Sequence, residues 1–384
     1  MGDNIPTWIL KVCAVQIAPI LQIIFTQTYN SGTLPNDWLT ANIIPIYKKG
    51  DKSLPVNYRP ISLTSICCKI MEHVIFHSIL DHLNKYNIIN PNQHGFRPGL
   101  SCQTQLVLLV DGILKAMDSH HQVDLLLLDF SKAFDTVAHN KLLLKLAHYG
   151  IQSNTHQWIT TWLTTRTQRV IVEGEKSNDK RVLSGVPQGT VLGPLMFLLY
   201  INDIDTDICS SIRLFADDCI LYRIIETPED HQQLQCDLNS LMRWTMQWQM
   251  KLNPEKCVTL RCTRSPTPHK TTYLINEQLL QIVDQHVYLG VKLHSSMSWS
   301  HHIQALINKA TKMLNFAKRT LYKCDTKVKA TAYTTLVRPI LEYATVVWDP
   351  YQQYLINNIE MVQRRAARWV KQEYGITTSV TSIY

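Results

Sequence analysis

Two apolar segments of this chain each run directly into aspartate, and they constrain its fold more than any other feature. Four consecutive leucines, at positions 125–128, stop at Asp129, and the sequence Leu-Phe-Ala leads into Asp217 and Asp218. A short continuous apolar run is typical of a strand that is buried on both faces. We therefore predict a buried strand that ends at Asp129, and a hairpin over residues 213–222 with the aspartate pair at its bend.

These three aspartates indicate metal chemistry. A carboxylate beside a core needs a partner, because desolvation disfavours its charged form, and three carboxylates brought together raise one another's pKa values. A bound divalent cation offsets the repulsion between the carboxylates. Mg²⁺ prefers one or two carboxylates together with phosphate oxygens, and two ions about 3.5–4 Å apart can clamp the attacking and leaving oxygens of a displacement at phosphorus. The alternative is that Asp129 caps a following helix and that Asp217 and Asp218 form an ordinary turn.

Size and cysteine usage limit the class of protein. A chain of 384 residues with 45% apolar residues and 13 glycines is expected to form two or three globular subdomains that share a core. The ten cysteines include no CxxC pair and no Cys/His cluster with zinc-ligand spacing, which predicts free thiols in a reducing compartment. The apolar stretch over residues 12–25 is interrupted by Gln16, Pro19 and Gln22 and is too short to span a bilayer. We expect no signal peptide and no membrane span. The expected location of the protein is the cytoplasm or the nucleus.

The net charge of +8 is concentrated near the C-terminus. Residues 295–384 contain 12 Lys/Arg and 5 Asp/Glu, a surplus of 7, so the first 294 residues carry 26 against 25. A balanced body joined to a basic segment favours a polyanionic partner such as nucleic acid. An ordinary basic helical surface is the alternative.

The apolar periodicity predicts helices and strands in mixed order. Helices are expected over residues 8–30, 66–84, 102–117, 141–149 and 155–164, from the turn at 184–189 to about 204, around Trp244 and Trp248, and from 301 onward. Strands are expected over residues 40–47, 123–128 and 168–173, around Val258, and over 288–293. A sheet flanked by helices with this strand order indicates an α+β fold rather than a doubly wound sheet.

Several motifs resemble those of reverse transcriptases from non-LTR (LINE-type) retrotransposons. Residues 129–135 (DFSKAFD) resemble the first palm motif, and residues 215–218 (FADD) resemble the aspartate-pair hairpin in its non-LTR form. Between them, residues 184–194 (SGVPQGTVLGP) are similar to the family's SGVPQGxxLGP segment. Three upstream segments resemble the fingers signature: residues 47–51 (YKKGD), 57–63 (NYRPISL) and 93–97 (QHGFR). The order and spacing match from about residue 3 to about residue 380.

The resemblance implies a right-hand polymerase architecture with fingers, a palm with an antiparallel sheet, and a helical thumb. We expect residues 1–28 to form the N-terminal helical part of the fingers, and residues 29–294 to form the reverse transcriptase domain of fingers and palm. Residues 295–384 would form a basic helical thumb and a truncated C-terminal extension. Members of the family usually carry an endonuclease domain upstream, and no nuclease is expected within this sequence.

The resemblance also implies an activity. The chain would be an RNA-directed DNA polymerase that extends a primer 3′-hydroxyl with dNTPs on an RNA template. Asp129, Asp217 and Asp218 would hold two Mg²⁺ ions, with Mn²⁺ as a possible substitute. RNA template, DNA primer and dNTPs are the expected partners, membranes are not, and protein partners stay open. One alternative is a catalytically idle nucleic-acid-binding remnant; another, an RNA-templated RNA polymerase, is disfavoured by Phe134.

Five residues are implied to contact the incoming nucleotide. Phe134 would lie beneath the sugar and exclude a 2′-hydroxyl, whereas a core aromatic is the alternative. Lys48, Lys49 and Arg59 would neutralise the triphosphate, Arg59 through a bidentate fork; which lysine does so is open, and a solvated basic turn is the alternative. Gln188 would touch the nascent pair or the template, unless it is only a turn residue.

The remaining candidates follow from matching positions. Lys256 matches a lysine near the leaving pyrophosphate, where an ammonium group can donate a proton; the alternative is an exposed surface lysine. Nucleic-acid contacts are implied at Arg97, at the primer-grip-like turn of Tyr288, Leu289 and Gly290, and on the thumb at Lys309, Lys312, Lys318 and Arg319. A plain strand turn and a solvated helix face are the alternatives there. No specific contact is predicted for the basic residues Arg364, Arg365 and Arg368.

Overall fold

The computed structural model describes residues 5–372 and has an α+β fold. The helices are α1 (Thr7–Val12), α2 (Ala14–Ser31), α3 (Asn36–Leu39), α4 (Ile66–Lys85), α5 (Cys102–Asp118), α6 (Ala133–Thr136), α7 (His139–His148), α8 (Ser153–Thr164), α9 (Leu192–Ile201), α10 (Pro228–Gln247), α11 (Ser300–Thr320), α12 (Thr326–Ala332), α13 (Arg338–Glu342), α14 (Thr345–Trp348) and α15 (Gln353–Lys371). A 3₁₀ turn covers Pro55–Asn57, and a π-helical turn covers Tyr333–Val337.

The strands form two larger sheets and two small hairpins. They are β1 (Thr40–Tyr47), β2 (Tyr58–Leu63), β3 (Gln122–Asp129), β4 (Thr167–Val172), β5 (Glu175–Lys176), β6 (Lys180–Arg181), β7 (Ser211–Phe215), β8 (Asp218–Ile225), β9 (Val258–Cys262), β10 (Leu274–Ile275), β11 (Gln278–Leu279), β12 (Gln281–Val283), β13 (Gln285–Tyr288) and β14 (Val291–His294).

The central sheet has the strand order β12-β9-β3-β8-β7. Strand β3 pairs antiparallel with both β8 and β9, and β7 pairs antiparallel with β8. The leucines of β3 alternate between two cores, with Leu126 and Leu128 on one side and Leu125 and Leu127 on the other. The predicted strand buried on both faces is therefore confirmed, since side chains alternate across a strand.

Helices cover both faces of this sheet. One core packs α4, α7, α8, α9 and α10 against it and contains the fully buried Trp158 and Trp162. The other core packs α5, the β13–β14 hairpin and α14 against the opposite face. A third cluster lies among α11, α12, α13 and α15. Because both faces of the central sheet are covered, its side chains are mostly apolar. Polar groups lie instead at the end of the sheet where β3 ends.

The second sheet joins β1, β2 and β4, with β5 and β6 attached to β4. Strand β1 pairs antiparallel with β2 and parallel with β4. The predicted strands at 40–47 and 168–173 are found within one residue at each end, whereas β2 had been assigned only to a motif. The loop between β1 and β2 contains Lys48 and Lys49.

Several predicted boundaries need correction. The helix expected over residues 8–30 is divided at Cys13 into α1 and α2. The helix expected to reach about 204 ends at Ile201, where a run of turns begins. Trp248 lies just beyond α10 as its C-cap. The strand expected over residues 288–293 is broken by a turn at Leu289 and Gly290, because both have positive φ angles.

None of the helices in residues 5–372 is both long enough and apolar enough to cross a membrane. The ten cysteines are all free thiols. Five of them are buried in the structure, which agrees with their use as small apolar side chains.

Candidate active site

The three aspartates lie together at one end of the central sheet. Strand β3 ends at Asp129, strand β8 begins at Asp218, and the two residues are direct partners in the antiparallel register. Directly opposed side chains have Cβ atoms about 4.5–5.5 Å apart on the same face of the sheet. Asp217 lies in the two-residue turn between β7 and β8, after Ala216 with its φ of 53°. The hairpin bend is therefore formed by Ala216 and Asp217, and Asp218 already belongs to the strand.

The electrostatics of this cluster disfavour its fully charged form. Desolvation and the charges of Asp217 and Asp129 raise the pKa of Asp218 to about 6. Desolvation also raises the pKa of Asp217, with a further contribution from Asp129, whereas the charges of Lys48 and Arg59 act to lower it. Three carboxylates that repel one another form a site that a cation stabilises.

Asp129 is paired with Lys256 in this arrangement. The Nζ of Lys256 lies 3.0 Å from Oδ2 of Asp129, and both side chains are roughly half exposed. Across the described part of the chain, no group of three His, Cys, Asp or Glu side chains is arranged so as to hold a metal ion as it stands. Carboxylate oxygens nevertheless match the preference of hard divalent cations. Asp129, Asp217 and Asp218 are the residues that would hold such an ion.

An open cavity of about 350 Å³ is lined both by Asp129 and Asp218 and by the β13–β14 hairpin. Lys256 also lines it, and the hairpin contributes His286, Val287, Tyr288 and Leu289. The side chain of Tyr288 is only 4% exposed and packs in the core below. The hairpin can therefore offer the cavity its backbone and Leu289 more readily than the tyrosine ring.

Phe134 packs between two other aromatic rings. Its ring stacks on Phe197 with centroids 4.3 Å apart, and meets the edge of Phe96 at 6.2 Å. Phe134 is half-buried, so one part of the ring contributes to the core while another part is accessible. The two interpretations of this residue, core aromatic and sugar contact, are thus compatible in the structure.

Gln188 joins strand β2 to helix α6. Its backbone carbonyl accepts a hydrogen bond from Ser62 N on β2 at 2.7 Å, and its side-chain amide donates to Asp135 Oδ1 at 3.4 Å. The same loop is attached to the segment of Phe134, whose carbonyl accepts from Val186 N at 2.8 Å. These bonds hold the loop that contains Gln188 against the segment of Phe134 and Asp135.

Lys48 and Arg59 are the basic residues whose charges act on the aspartates. Arg59 lies on β2, opposite Ile46 of β1, and Lys48 N donates to Asn57 O at 2.8 Å. The charge of Lys48 opposes the rise in the pKa of both Asp217 and Asp218. Of the two lysines that the sequence left open, Lys48 is therefore the stronger candidate, and Lys49 follows it in an exposed turn.

A family model described as "Reverse transcriptase (RNA-dependent DNA polymerase)" matches residues 46–293 of the chain. The chain belongs to the reverse transcriptase family. This membership carries the right-hand architecture with it, and the α+β fold class is confirmed. The matched range ends one residue before the predicted boundary at 294, although the division into fingers, palm and thumb stays a prediction.

Its relatives are non-LTR retrotransposon proteins. The chain is 28% identical to "Probable RNA-directed DNA polymerase from transposon BS" of Drosophila melanogaster, over 95% of this chain and 42% of that protein. It is 31% identical to "RNA-directed DNA polymerase from mobile element jockey" of Drosophila funebris, over 91% of this chain and 39% of that protein. The chain thus spans about 40% of the length of these relatives. Among solved structures, apo telomerase from Candida tropicalis truncated from its C-terminal domain has a TM-score of 0.49 at 12% identity, covering 73% of this chain and 59% of that one.

The turn that contains Asp217 is held by Gln93, the first residue of the QHGFR segment, to which the sequence assigned no role of its own. Gln93 is 2% exposed, and its Oε1 accepts from Ala216 N at 2.9 Å and from Gly95 N at 2.7 Å. A Cβ at Gly95 would lie 2.4 Å from Ala216 N, so only glycine permits this approach. The loop with the QHGFR sequence therefore packs against the turn that contains Asp217 and stabilises it.

Arg97 forms hydrogen bonds within the same loop. Its Nη1 donates to the carbonyl oxygens of Asn90 at 3.1 Å and Gln93 at 3.3 Å, and burial lowers its pKa. The guanidinium thus stabilises the loop itself. A contact between Arg97 and nucleic acid stays a prediction.

A second missed residue is Glu72 on α4. It is fully buried, and its Oε2 accepts from Val191 N at 2.7 Å and from Leu192 N at 3.1 Å at the start of α9. Burial raises its pKa, and these bonds oppose the shift. Because a carboxylate at a helix N-terminus is favourable, Glu72 anchors the end of the loop that contains Gln188.

The four predicted thumb residues of α11 do not share one environment. Lys309, Lys312 and Arg319 are exposed. Lys318 is half-buried, and its pKa is lowered by burial and by the charge of Arg365 on α15. Three of the four can therefore reach phosphates directly, whereas Lys318 lies near the contact between α11 and α15.

Proposed function

We propose that this chain is an RNA-directed DNA polymerase that extends a primer 3′-hydroxyl with dNTPs on an RNA template. The observation that supports the proposal is the pairing of Asp129 with Asp218 across adjacent strands, with Asp217 in the turn between β7 and β8. The named relatives support the same activity. The idle-remnant alternative has no observation in its favour, because all three carboxylates are present in one place.

In this proposal the aspartates hold two Mg²⁺ ions, with Mn²⁺ as a possible substitute. The ions would activate the primer hydroxyl and stabilise the charge that develops on the leaving pyrophosphate. Lys48 and Arg59 neutralise the triphosphate, because their charges already act on the site. Lys256 reaches the same site and can supply a proton to the pyrophosphate. Phe134 excludes the 2′-hydroxyl, and Gln188 contacts the nascent pair.

The direct test is primer extension with the purified chain. A labelled DNA primer on an RNA template, with dNTPs and MgCl₂, should yield full-length product, and excess EDTA should abolish it. Ribonucleotides should yield little product in the same assay, which separates this activity from RNA synthesis. Binding of the primer–template without extension by the wild-type chain would support the idle-remnant alternative instead.

The exposed face of α11 is proposed to hold the template–primer duplex through its phosphates. Binding by cations releases counterions, so log affinity falls linearly with log salt by about 0.9 for each phosphate neutralised. Replacing Lys309, Lys312 and Arg319 together by glutamine should flatten that slope by up to about 3. All sequences should be weakened alike, because phosphate contacts carry no base information.

A matched control removes equal charge elsewhere. Lys11, Lys85 and Lys270 are also exposed, and their joint replacement by glutamine should leave the slope nearly unchanged. The measurement is fluorescence anisotropy of a labelled duplex over a range of salt concentrations. Equal slopes for the two triple variants would show that α11 is only a solvated basic surface.

A further inference from the structure

Tyr343 reaches from the C-terminal helices to the hairpin that faces the aspartates. It lies between α13 and α14, and its hydroxyl donates a hydrogen bond to Leu289 O at 2.8 Å. Leu289 lies in the β13–β14 turn and lines the cavity that Asp129 and Asp218 also line. A residue 54 positions away in sequence is thus bonded to the backbone of the cavity wall.

The turn itself has a demanding geometry. Leu289 and Gly290 have φ angles of 44° and 81°, and two successive positive values are typical of a type I′ hairpin turn. A Cβ at Gly290 would lie 3.1 Å from Cε1 of Tyr343. The tyrosine ring therefore packs directly on the turn, and its hydroxyl fixes the carbonyl beside it.

Tyr343 is itself held firmly in place. Its carbonyl accepts a hydrogen bond from Nε1 of Trp348 at 2.8 Å, and Trp348 is only 1% exposed. The following residue, Ala344, is fully buried and has a φ of 56°. Burial and a bond with the Cys102 thiol raise the pKa of Tyr343 to about 12. The phenol is therefore protonated at neutral pH and can donate.

We propose that Tyr343 is a positioning residue, which holds the Leu289–Gly290 backbone in the orientation that receives the primer end. The inference rests on the proposed function and on the expectation from the family resemblance that this turn contacts the primer strand. It assigns a role to the segment after α13, for which the sequence indicated none. The expected consequence is that primer binding, rather than the chemical step, depends on the Tyr343 hydroxyl.

The first test removes only that hydroxyl. Tyr343→Phe should raise the KM for primer–template by about 2- to 10-fold, the range expected for one neutral hydrogen bond. The kcat at saturating primer–template should stay within about 2-fold, since the aspartates are untouched. Tyr351→Phe is the matched control, because Tyr351 is 90% exposed. An unchanged KM in an active Tyr343→Phe variant would overturn the positioning role alone.

A double-mutant cycle tests the ring contact. Gly290→Ala introduces both an unfavourable φ and an overly close contact with the Tyr343 ring, and Tyr343→Ala removes that contact together with the hydroxyl bond to Leu289. The KM penalty of Gly290→Ala should therefore be smaller in the Tyr343→Ala background. Gly174→Ala is the control for φ alone, because Gly174 has a φ of 92° and nothing lies within 4 Å of an added Cβ. Strictly additive penalties would contradict the proposed contact.

Hydrogen exchange separates this inference from the proposed function. In the free protein, Tyr343→Phe should accelerate amide exchange at residues 288–291 and leave the β4–β5 turn unchanged. Faster exchange together with a raised KM supports the role, and unchanged exchange overturns it. A wild-type chain that binds primer–template but does not extend it overturns the proposed function, and the primer role of Tyr343 with it, even if exchange is faster.

Discussion

Replacing Asp217 by asparagine is expected to lower the rate of primer extension by at least about 10³-fold. The substitution removes one charged metal ligand from a site that depends on charge stabilisation, which is a loss of several kcal/mol in the transition state. The size of the side chain is unchanged, and the turn retains its bonds through Gln93 and Ala216. Duplex affinity in the absence of dNTPs should therefore be close to that of the wild type. The measurement is single-turnover primer extension.

Stability gives a second readout for the same variant. The pKa of Asp217 is raised in the folded protein, which means that its charged form is disfavoured by folding at neutral pH. Without divalent cations, Asp217→Asn should therefore have an unchanged or higher Tm. Asp111→Asn, at an exposed position on α5, is the control for removal of a carboxylate and should extend primers normally. Near-normal extension by Asp217→Asn would show that the metal assignment is wrong.

Phe134→Val is expected to raise the use of ribonucleotides relative to deoxynucleotides by about 10- to 10²-fold, the range that a steric contact of this size can supply. The smaller side chain opens space where the 2′-hydroxyl would lie. The β-branched side chain still packs on Phe197, so part of the core contact is retained. The use of deoxynucleotides should change much less than the use of ribonucleotides.

The measurement is the ratio of kcat/KM for matched ribo- and deoxynucleotides on one template. Phe76→Val is a suitable control, because Phe76 is also a half-buried aromatic packed on the same core. It should lower stability without changing the sugar ratio. If Phe134→Val leaves the ratio unchanged, Phe134 is a packing residue and the sugar must be selected elsewhere.

Much of the fold could be predicted because its signals are local. The leucines before Asp129 and the hairpin around Asp217 follow from strand periodicity and turn geometry, which act over a few residues. The helix limits were mostly correct for the same reason. The errors at Ile201 and Trp248 lie at helix ends, where capping and tertiary packing decide the last turn.

The residues that hold the loops of the candidate site in place could not be predicted in this way. Gln93 contacts Ala216 across 123 positions, and Glu72 contacts Val191 across 119. The QHGFR motif contains Gln93, but nothing in the motif indicates that this side chain supports the turn, and a glutamate in a helix resembles an ordinary surface residue. Only the packing of distant elements removes them from solvent, and a buried polar group must then find partners.

The sequence by itself determined the family, the α+β class and the three aspartates as candidates, since strand period, chain order and motif spacing are properties of the linear chain. Tertiary structure alone placed Lys48 where its charge acts on Asp217 and Asp218, Lys318 near Arg365, and the Tyr343 hydroxyl within hydrogen-bond distance of the β13–β14 turn. These contacts depend on distances between elements that are far apart in sequence. Local periodicity specifies which face of an element is apolar, but it does not specify which partner that face will meet.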